Sequence, residues 1–323
     1  SSHRTLDWRA GIVTREVEFE TADGRRIALR TRRFASLEHR HVFVLDYQVE
    51  MLDAPATVTI ASELAMPRAR RDSAGEHDPR RAKTQEGVLQ PISHYAGDDR
   101  GILTMRTRSS GMSLGCGVDH VFDEQVPIER RIEADEDVIS SVSIIDAQPG
   151  VPVRVQKFAA YHTSHRTSSQ ELAFRVEQTL NRAIHVGIER LGQLQEERMR
   201  RFWDIADVKI EGCEDAQSMV RFNLFQLHQA TARADGRGFP AKGLTGTGYE
   251  GQYFWDADIY VMPFLSYTTP QLARNFIDFR AAMLDKARDR AREVGHTGAL
   301  YPWRTINGDE ASAYYAAGTA QYH

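Results

Sequence analysis

Residues 243–265 read GLTGTGYEGQYFWDADIYVMPFL, and the character of this stretch changes halfway: a polar, glycine-rich opening passes through Tyr253-Phe254-Trp255 into an apolar helical ending. Gly243, Gly246, Gly248 and Gly251 let the backbone adopt positive φ and approach a ligand closely. Tyr249 and Trp255 offer flat faces, while Asp256 and Asp258 offer only hydrogen-bond acceptors. Flat rings beside acceptors suit a molecule with apolar C–H faces and a rim of hydroxyls, which describes a sugar. The same residues would also make a plain glycine turn before a helix, with both aspartates in its first turn because the helix dipole favours anions there. GTGYEG matches GxGxxG literally but lacks the strand-turn-helix unit of a dinucleotide site, and no GxxxxGK[ST] occurs.

Working outward, the spacing predicts a helix from about Phe254 to just before Pro270, then a long helix from Pro270 to Val294. The second carries Phe276, Phe279, Met283, Leu284 and Ala287 inward and ends at Gly295. Beyond it, HTGALYPWRTINGDEASAYYAAGTAQYH (296–323) repeats the chemistry of the first stretch. Tyr301 and Trp303 are flat surfaces, Arg304 is a donor fork, Thr305 and Asn307 are polar, and Asp309 and Glu310 are acceptors. Two loops of this kind at the ends of a helical hairpin could line one pocket; they could also be two unrelated surface loops. Upstream, a helix over 214–234 has Val220, Leu224, Leu227 and Thr231 on its apolar side.

Before Ser168 the hydrophobic period is two. Val13, Val17 and Phe19 share one side; Asp23-Gly24 offers a hairpin turn; Phe43, Leu45, Tyr47 and Val49 form a second face. Further strands are expected over 56–64, 102–107, 117–122, 128–133, 139–145 and 151–162, so this region reads as an antiparallel sandwich. Arg68 to Gly87, charged and aperiodic, reads as a long solvated loop. From Ser168 the period becomes helical: Leu172, Val176, Leu180 and Ala183 follow a Ser168-Ser169 cap up to Gly187, and a second helix to about Ala206 buries Leu191, Leu194, Phe202 and Ile205. The organisation expected is a β-sandwich over 1–167, a helical linker over 168–212 and a helical domain over 213–323.

At GYEGQYFWDADIYVMPFL the chain resembles the G-Y-x-G-H-x-F-W-D-T-E motif of family 65 glycoside hydrolases. ALYPWRTINGDEASAYYAAGTAQYH, FWDIADVKIEG and MVRFNLFQLHQA resemble the trehalose and kojibiose phosphorylase-like branch of that family. The resemblance spans the chain and is most specific from about Arg200 onward. It implies an N-terminal antiparallel β-sandwich, a helical linker and the N-terminal part of an (α/α)6 barrel. It also implies cleavage of an α-glucosidic disaccharide, mostly by inverting phosphorolysis to β-glucose 1-phosphate, in some members by hydrolysis of trehalose. A non-catalytic carbohydrate-binding protein is the alternative of a different class. By the same resemblance Trp255 and Asp256 hold the glucose that is transferred, with Tyr249 and Gln252 beside them, and the loop bearing Trp303, Arg304, Thr305 and Glu310 shapes the site for the leaving sugar. No cofactor is implied; inorganic phosphate is the co-substrate, and a homodimer is left open.

Three positions depart from the motif: Gln252 stands for His, Ala257 for Thr and Asp258 for Glu. Gln252 keeps hydrogen bonding without an ionisable ring, and Asp258 reaches one methylene less. An inverting reaction needs a general acid and an attacking group on opposite faces of the sugar. The resemblance places the acid and the phosphate loop beyond His323, so the chain reads as an internal piece, inactive alone.

A net charge of −4 argues against a dedicated nucleic-acid binder. Cys116 and Cys213 are too few and too far apart for a disulfide framework, which makes the cytoplasm the default expectation. No run of about 18 apolar residues suggests a membrane span, and residues 1–15 are not those of a signal peptide. The histidines show no HExxH or paired spacing, so a metal site is not expected. Asp119-His120 and the serines lack a GxSxG elbow.

Overall fold

The computed structural model describes residues 1–66, 88–97, 99–108, 111–123, 128–164, 166–231, 238–243 and 248–311. The charged stretch 68–87, His165, the glycine-loop residues 244–247 and the last segment, 312–323, lie outside them. The chain divides into two compact units, meeting in sequence at residue 200.

In the first unit eleven strands are described: β1 (Ser2–Asp7), β2 (Ile12–Glu20), β3 (Arg26–Ala35), β4 (Val42–Met51), β5 (Ala56–Ala65), β6 (Leu89–Gly97), β7 (Arg100–Thr107), β8 (Ser113–Phe122), β9 (Ile128–Ala134), β10 (Val138–Ala147) and β11 (Val153–Ser164). They form an eight-stranded sheet, β1-β2-β3-β4-β11-β8-β7-β6, and a three-stranded sheet, β5-β10-β9, with every neighbouring pair antiparallel. The β-rich first region is therefore a sandwich, as the alternation predicts.

β4 is apolar at consecutive positions because both its faces are covered. Val42 and Val44 join a core with Phe34, Phe158 and the helical residues Val176, Leu180 and Leu191, whereas Tyr47, Val49 and Met51 pack with Val58, Ile60 and Ile145 of the smaller sheet. Phe19 is 46% exposed, since β2 lies toward the sheet edge and Ile12 is the residue it sends into the core.

Helix α1 (Ser169–Val186) starts at Ser168, whose hydroxyl accepts from the Glu171 N–H, and ends at Gly187 with φ 78°. Its stripe of Leu172, Val176, Leu180 and Ala183 lies on the large sheet. Two glycines on β8 permit the approach: a Cβ on Gly117 would fall 2.6 Å from Val176 Cγ1 and 3.0 Å from the Gly101 carbonyl oxygen, and one on Gly115 would fall 3.1 Å from Leu172 Cβ. Gly117→Ala is accordingly expected to lower stability by about 1–3 kcal/mol through overpacking; denaturant unfolding of the single variant measures it.

Helix α2 (Ile188–Ala206) buries Ile188, Leu191 and Met199 in the first unit. Its Gln195 is buried too, accepting from the Leu37 N–H at 2.8 Å and donating to the Gly11 carbonyl. Ile205, expected inside, is 63% exposed, and Ala206 is buried instead. His41 and His162, 121 residues apart, stack with ring centroids 3.9 Å apart, a pairing that sequence spacing does not reveal.

In the second unit α3 (Glu214–Ala230) turns Phe225 and His228 inward, with Leu224 and Leu227 only half-buried. His228 stacks on Phe202 at 3.9 Å, so a histidine and an aromatic ring share the buried face with Leu227, which packs on the core, and with Thr231, buried as expected. The helix expected from Phe254 begins later and is split: β12 (Tyr253–Phe254) precedes α4 (Asp256–Tyr260) and α5 (Met262–Thr268). Pro263, in the first turn of α5, cannot donate a helical hydrogen bond across the junction. The long helix is likewise two, α6 (Pro270–Ala281) and α7 (Leu284–Glu293), with Met283 N–H turning back to the Arg280 carbonyl three residues away. Of the residues expected inward, Phe276, Phe279, Met283 and Ala287 are buried and Leu284 is half-buried. A short strand, β13 (Arg304–Thr305), completes the described elements.

Candidate functional site

The two aromatic-carboxylate stretches meet through their backbones. Tyr253 pairs with Thr305 and Phe254 with Arg304 in an antiparallel ladder, and the Trp255 N–H donates to the Trp303 carbonyl at 2.9 Å. Segments 50 residues apart are thus adjacent strands of one small sheet, and Trp255-Asp256 emerge directly from its end.

Rings and guanidiniums fill the space around this ladder. Phe254 meets Tyr249 edge-on at 4.9 Å, and the Trp255 ring lies 5.2 Å from Tyr301. Arg304 holds its guanidinium 5.7 Å from the Phe254 ring centre and 6.0 Å from that of Tyr249, while its Nε donates to the buried Gln252 amide oxygen. Gln252 therefore works as a neutral acceptor for Arg304, a role the ionisable ring of histidine would fill differently. Tyr249 has φ 55°, a left-handed conformation uncommon for a side-chain-bearing residue, in a 3₁₀ turn over Gly248–Gly251.

The carboxylates divide by partner. Asp258 is gripped by Arg280, with Nε 3.0 Å from Oδ1 and Nη2 2.6 Å from Oδ2, the two side chains being 13% and 8% exposed. Burial pushes the Asp258 carboxyl up from its ordinary value, against the downward pull of the Arg280 hydrogen bonds. Glu310 accepts from the Trp303 N–H at 2.8 Å and the Arg304 N–H at 3.2 Å, and pairs with Arg290 at 3.4 Å. Asp309 takes Lys286 at 2.9 Å on both oxygens. Asp256 is exposed and, among the described residues, has no hydrogen-bond or ion-pair partner. Of these four acceptors it is the one without a cation partner among the described residues.

Thr305 is fully buried, its hydroxyl accepting from the Gly308 N–H at 2.8 Å, so it shapes the loop from inside. Gly308 is needed there because its φ of 103° is a conformation that side-chain-bearing residues rarely adopt. Of the eight residues read from sequence as site residues, Tyr249, Gln252, Trp255, Asp256, Trp303 and Arg304 are gathered around the ladder, while Thr305 and Glu310 brace it. Arg280 was not singled out from sequence, although an arginine falling one residue after the buried Phe279 on the helix was a visible signal.

Other motifs find different partners. His120 shares a hydrogen bond with Ser62 Oγ at 2.8 Å, but its other nitrogen meets the Asp99 carbonyl, and Asp119 pairs with Arg100. This joins the two sheets of the sandwich without a carboxylate behind the imidazole. No helix among the described residues is long and apolar enough to cross a membrane.

Residues 1–202 match the model of the glycosyl hydrolase family 65 N-terminal domain, and residues 221–322 match that of the family 65 central catalytic domain. The chain is 38% identical over 320 residues to an uncharacterized glycosyl hydrolase of Mycobacterium leprae, covering 99% of this chain and 40% of that protein. It is 36% identical to the alpha,alpha-trehalose phosphorylase of Thermoanaerobacter brockii, covering 99% of this chain and 41% of the relative. A solved structure from the human microbiome, provisionally assigned as a kojibiose phosphorylase, superposes with a TM-score of 0.83 over 97% of this chain and 40% of that one, at 21% identity, a likeness of fold. The chain thus spans about two fifths of the length of these relatives. With both domain models matched in order along its length, the chain belongs to glycosyl hydrolase family 65.

Proposed function

We propose that this chain carries the glucose-holding part of an inverting disaccharide phosphorylase acting on an α-glucosidic disaccharide such as trehalose or kojibiose. Asp256, exposed and without a cation partner among the described residues, is the observation that carries this reading. A carboxylate placed beside half-buried indole surface accepts two hydroxyls of a pyranose whose C–H face lies on the ring. Trp255 and Trp303 supply that surface; Tyr249, Gln252 and Arg304 form one hydrogen-bonded and ring-packed flank; Thr305 and Glu310 hold the loop that faces the leaving sugar. The helical second unit would be the beginning of an (α/α)6 barrel.

In this reaction a phosphate oxygen bonds to C1 from the face opposite the departing oxygen, the C1–O bond breaks, and the leaving oxygen takes a proton from a general acid. No cofactor takes part. The reading is tested by incubating the full-length protein with trehalose or kojibiose, with and without inorganic phosphate, and following products by proton NMR. β-Glucose 1-phosphate formed only with phosphate is the expected result; free glucose formed equally without phosphate would make the enzyme a hydrolase.

A further inference from the structure

Arg280 touches three parts of the Phe254–Asp258 segment at once. Its Nη2 donates to the Phe254 carbonyl at 3.2 Å, its guanidinium carbon stands 4.9 Å from the centre of the Trp255 ring, and its fork closes on the Asp258 carboxylate through Nε and Nη2. The residue is 7% exposed and sits one residue before the last of α6, whose inner face is anchored by Phe276 and Phe279. A planar guanidinium held on one side by a bidentate carboxylate has a fixed plane, and an indole lying on it inherits that orientation.

We propose that Arg280, locked by Asp258, is a positioning residue that sets the tilt of the Trp255 indole and the direction in which Asp256 leaves the first turn of α4. This deepens the reading of Trp255 and Asp256 as the sugar-holding pair and rests on it. Neither Arg280 nor Asp258 has to touch the sugar. What the pair controls is the distance and angle between the stacking surface and the free acceptor, because residues 254, 255 and 258 are all fastened to one guanidinium while 256 is left outside. The length of the acid at 258 then matters: a glutamate would keep the charge and the fork but lift the turn away from α6 by about one methylene, roughly 1.5 Å.

The test uses the full-length enzyme and two variants. Asp258→Glu retains the ion pair and its charge; Arg280→Lys retains the charge and loses the fork. For Asp258→Glu the expected outcome is a KM for the disaccharide raised about three- to tenfold with kcat changed less, an unchanged KM for phosphate, and a melting temperature near that of wild type. Arg280→Lys is expected to raise KM further. A crystal structure of Asp258→Glu without ligand is the second readout, and it should show the Trp255 indole and the first turn of α4 displaced. Wild-type kinetics in Asp258→Glu, or an indole that has not moved, overturns the positioning role. Wild-type protein that cleaves no disaccharide in phosphate overturns the functional reading instead, while the indole displacement still decides the positioning claim.

Discussion

Asp256→Asn is expected to lower kcat/KM of the full-length enzyme for its disaccharide by about 10²–10³-fold and to leave the melting temperature almost unchanged. A hydrogen bond to a charged partner is worth about 1.5–3 kcal/mol, and a carboxylate gripping two sugar hydroxyls makes two of them. Asn offers one carbonyl oxygen and turns the other position into a donor, so one hydroxyl loses its acceptor. Stability should be indifferent because Asp256 is exposed and holds none of the neighbouring arginines. Comparing steady-state kinetics with thermal unfolding separates the two effects. A variant with normal kinetics would remove Asp256 from the site, and one that is inactive only because it is unfolded would make it a structural residue.

The second large effect is expected at Glu310. Its two oxygens serve the N–H groups of Trp303 and Arg304, and the same carboxylate pairs with Arg290, whose side chain is 13% exposed. Glu310→Ala deprives two backbone donors of their acceptor and leaves a largely buried cation without its partner. Together these should cost about 2–4 kcal/mol, below the full penalty for a wholly buried pair because Glu310 keeps 21% of its side-chain surface. Glu310→Gln, which retains one acceptor oxygen, should lose about half as much. Denaturant titration reads the loss directly. A change within about 0.5 kcal/mol in the alanine variant would mean that the 303–310 loop does not depend on this anchor.

Much of the architecture follows from patterns visible in the chain. Alternating residues such as Val58 and Ile60 mark strands that bury one face, and the spacing of Leu172, Val176 and Leu180 marks the helix that lies on the sheet. β1 and β6 escaped this reading because they are the two edge strands of the large sheet and their side chains are mostly exposed, leaving little hydrophobic alternation to detect. The break between α6 and α7 carries neither glycine nor proline, so local propensity gave no warning of it. The α3 face was read in part: Thr231 is buried and Leu227 packs on the core as expected, but Phe225 and His228, the latter stacked on Phe202, lie deeper than Leu224, a tertiary preference that no single helix reports.

The site divides in the same way. Aromatic rings, glycines and carboxylates concentrated in two loops pointed to the residues that surround the β12–β13 ladder, since such mixtures are poor core material. Which carboxylates are engaged could not be read, because the partners are distant: Arg280 is 22 residues from Asp258, and Arg290 is 20 residues from Glu310. Pairing with these arginines is what turns Asp258 and Glu310 into braces and leaves Asp256 as the open acceptor.

The most direct measurement is a crystal structure of the full-length protein with its disaccharide or with glucose bound. One pyranose should lie against the Trp255 indole, with two of its hydroxyls within about 2.5–3.0 Å of the Asp256 carboxylate and the neighbouring sugar facing the 303–310 loop. A sugar bound elsewhere, with Asp256 still turned to solvent, would contradict the account.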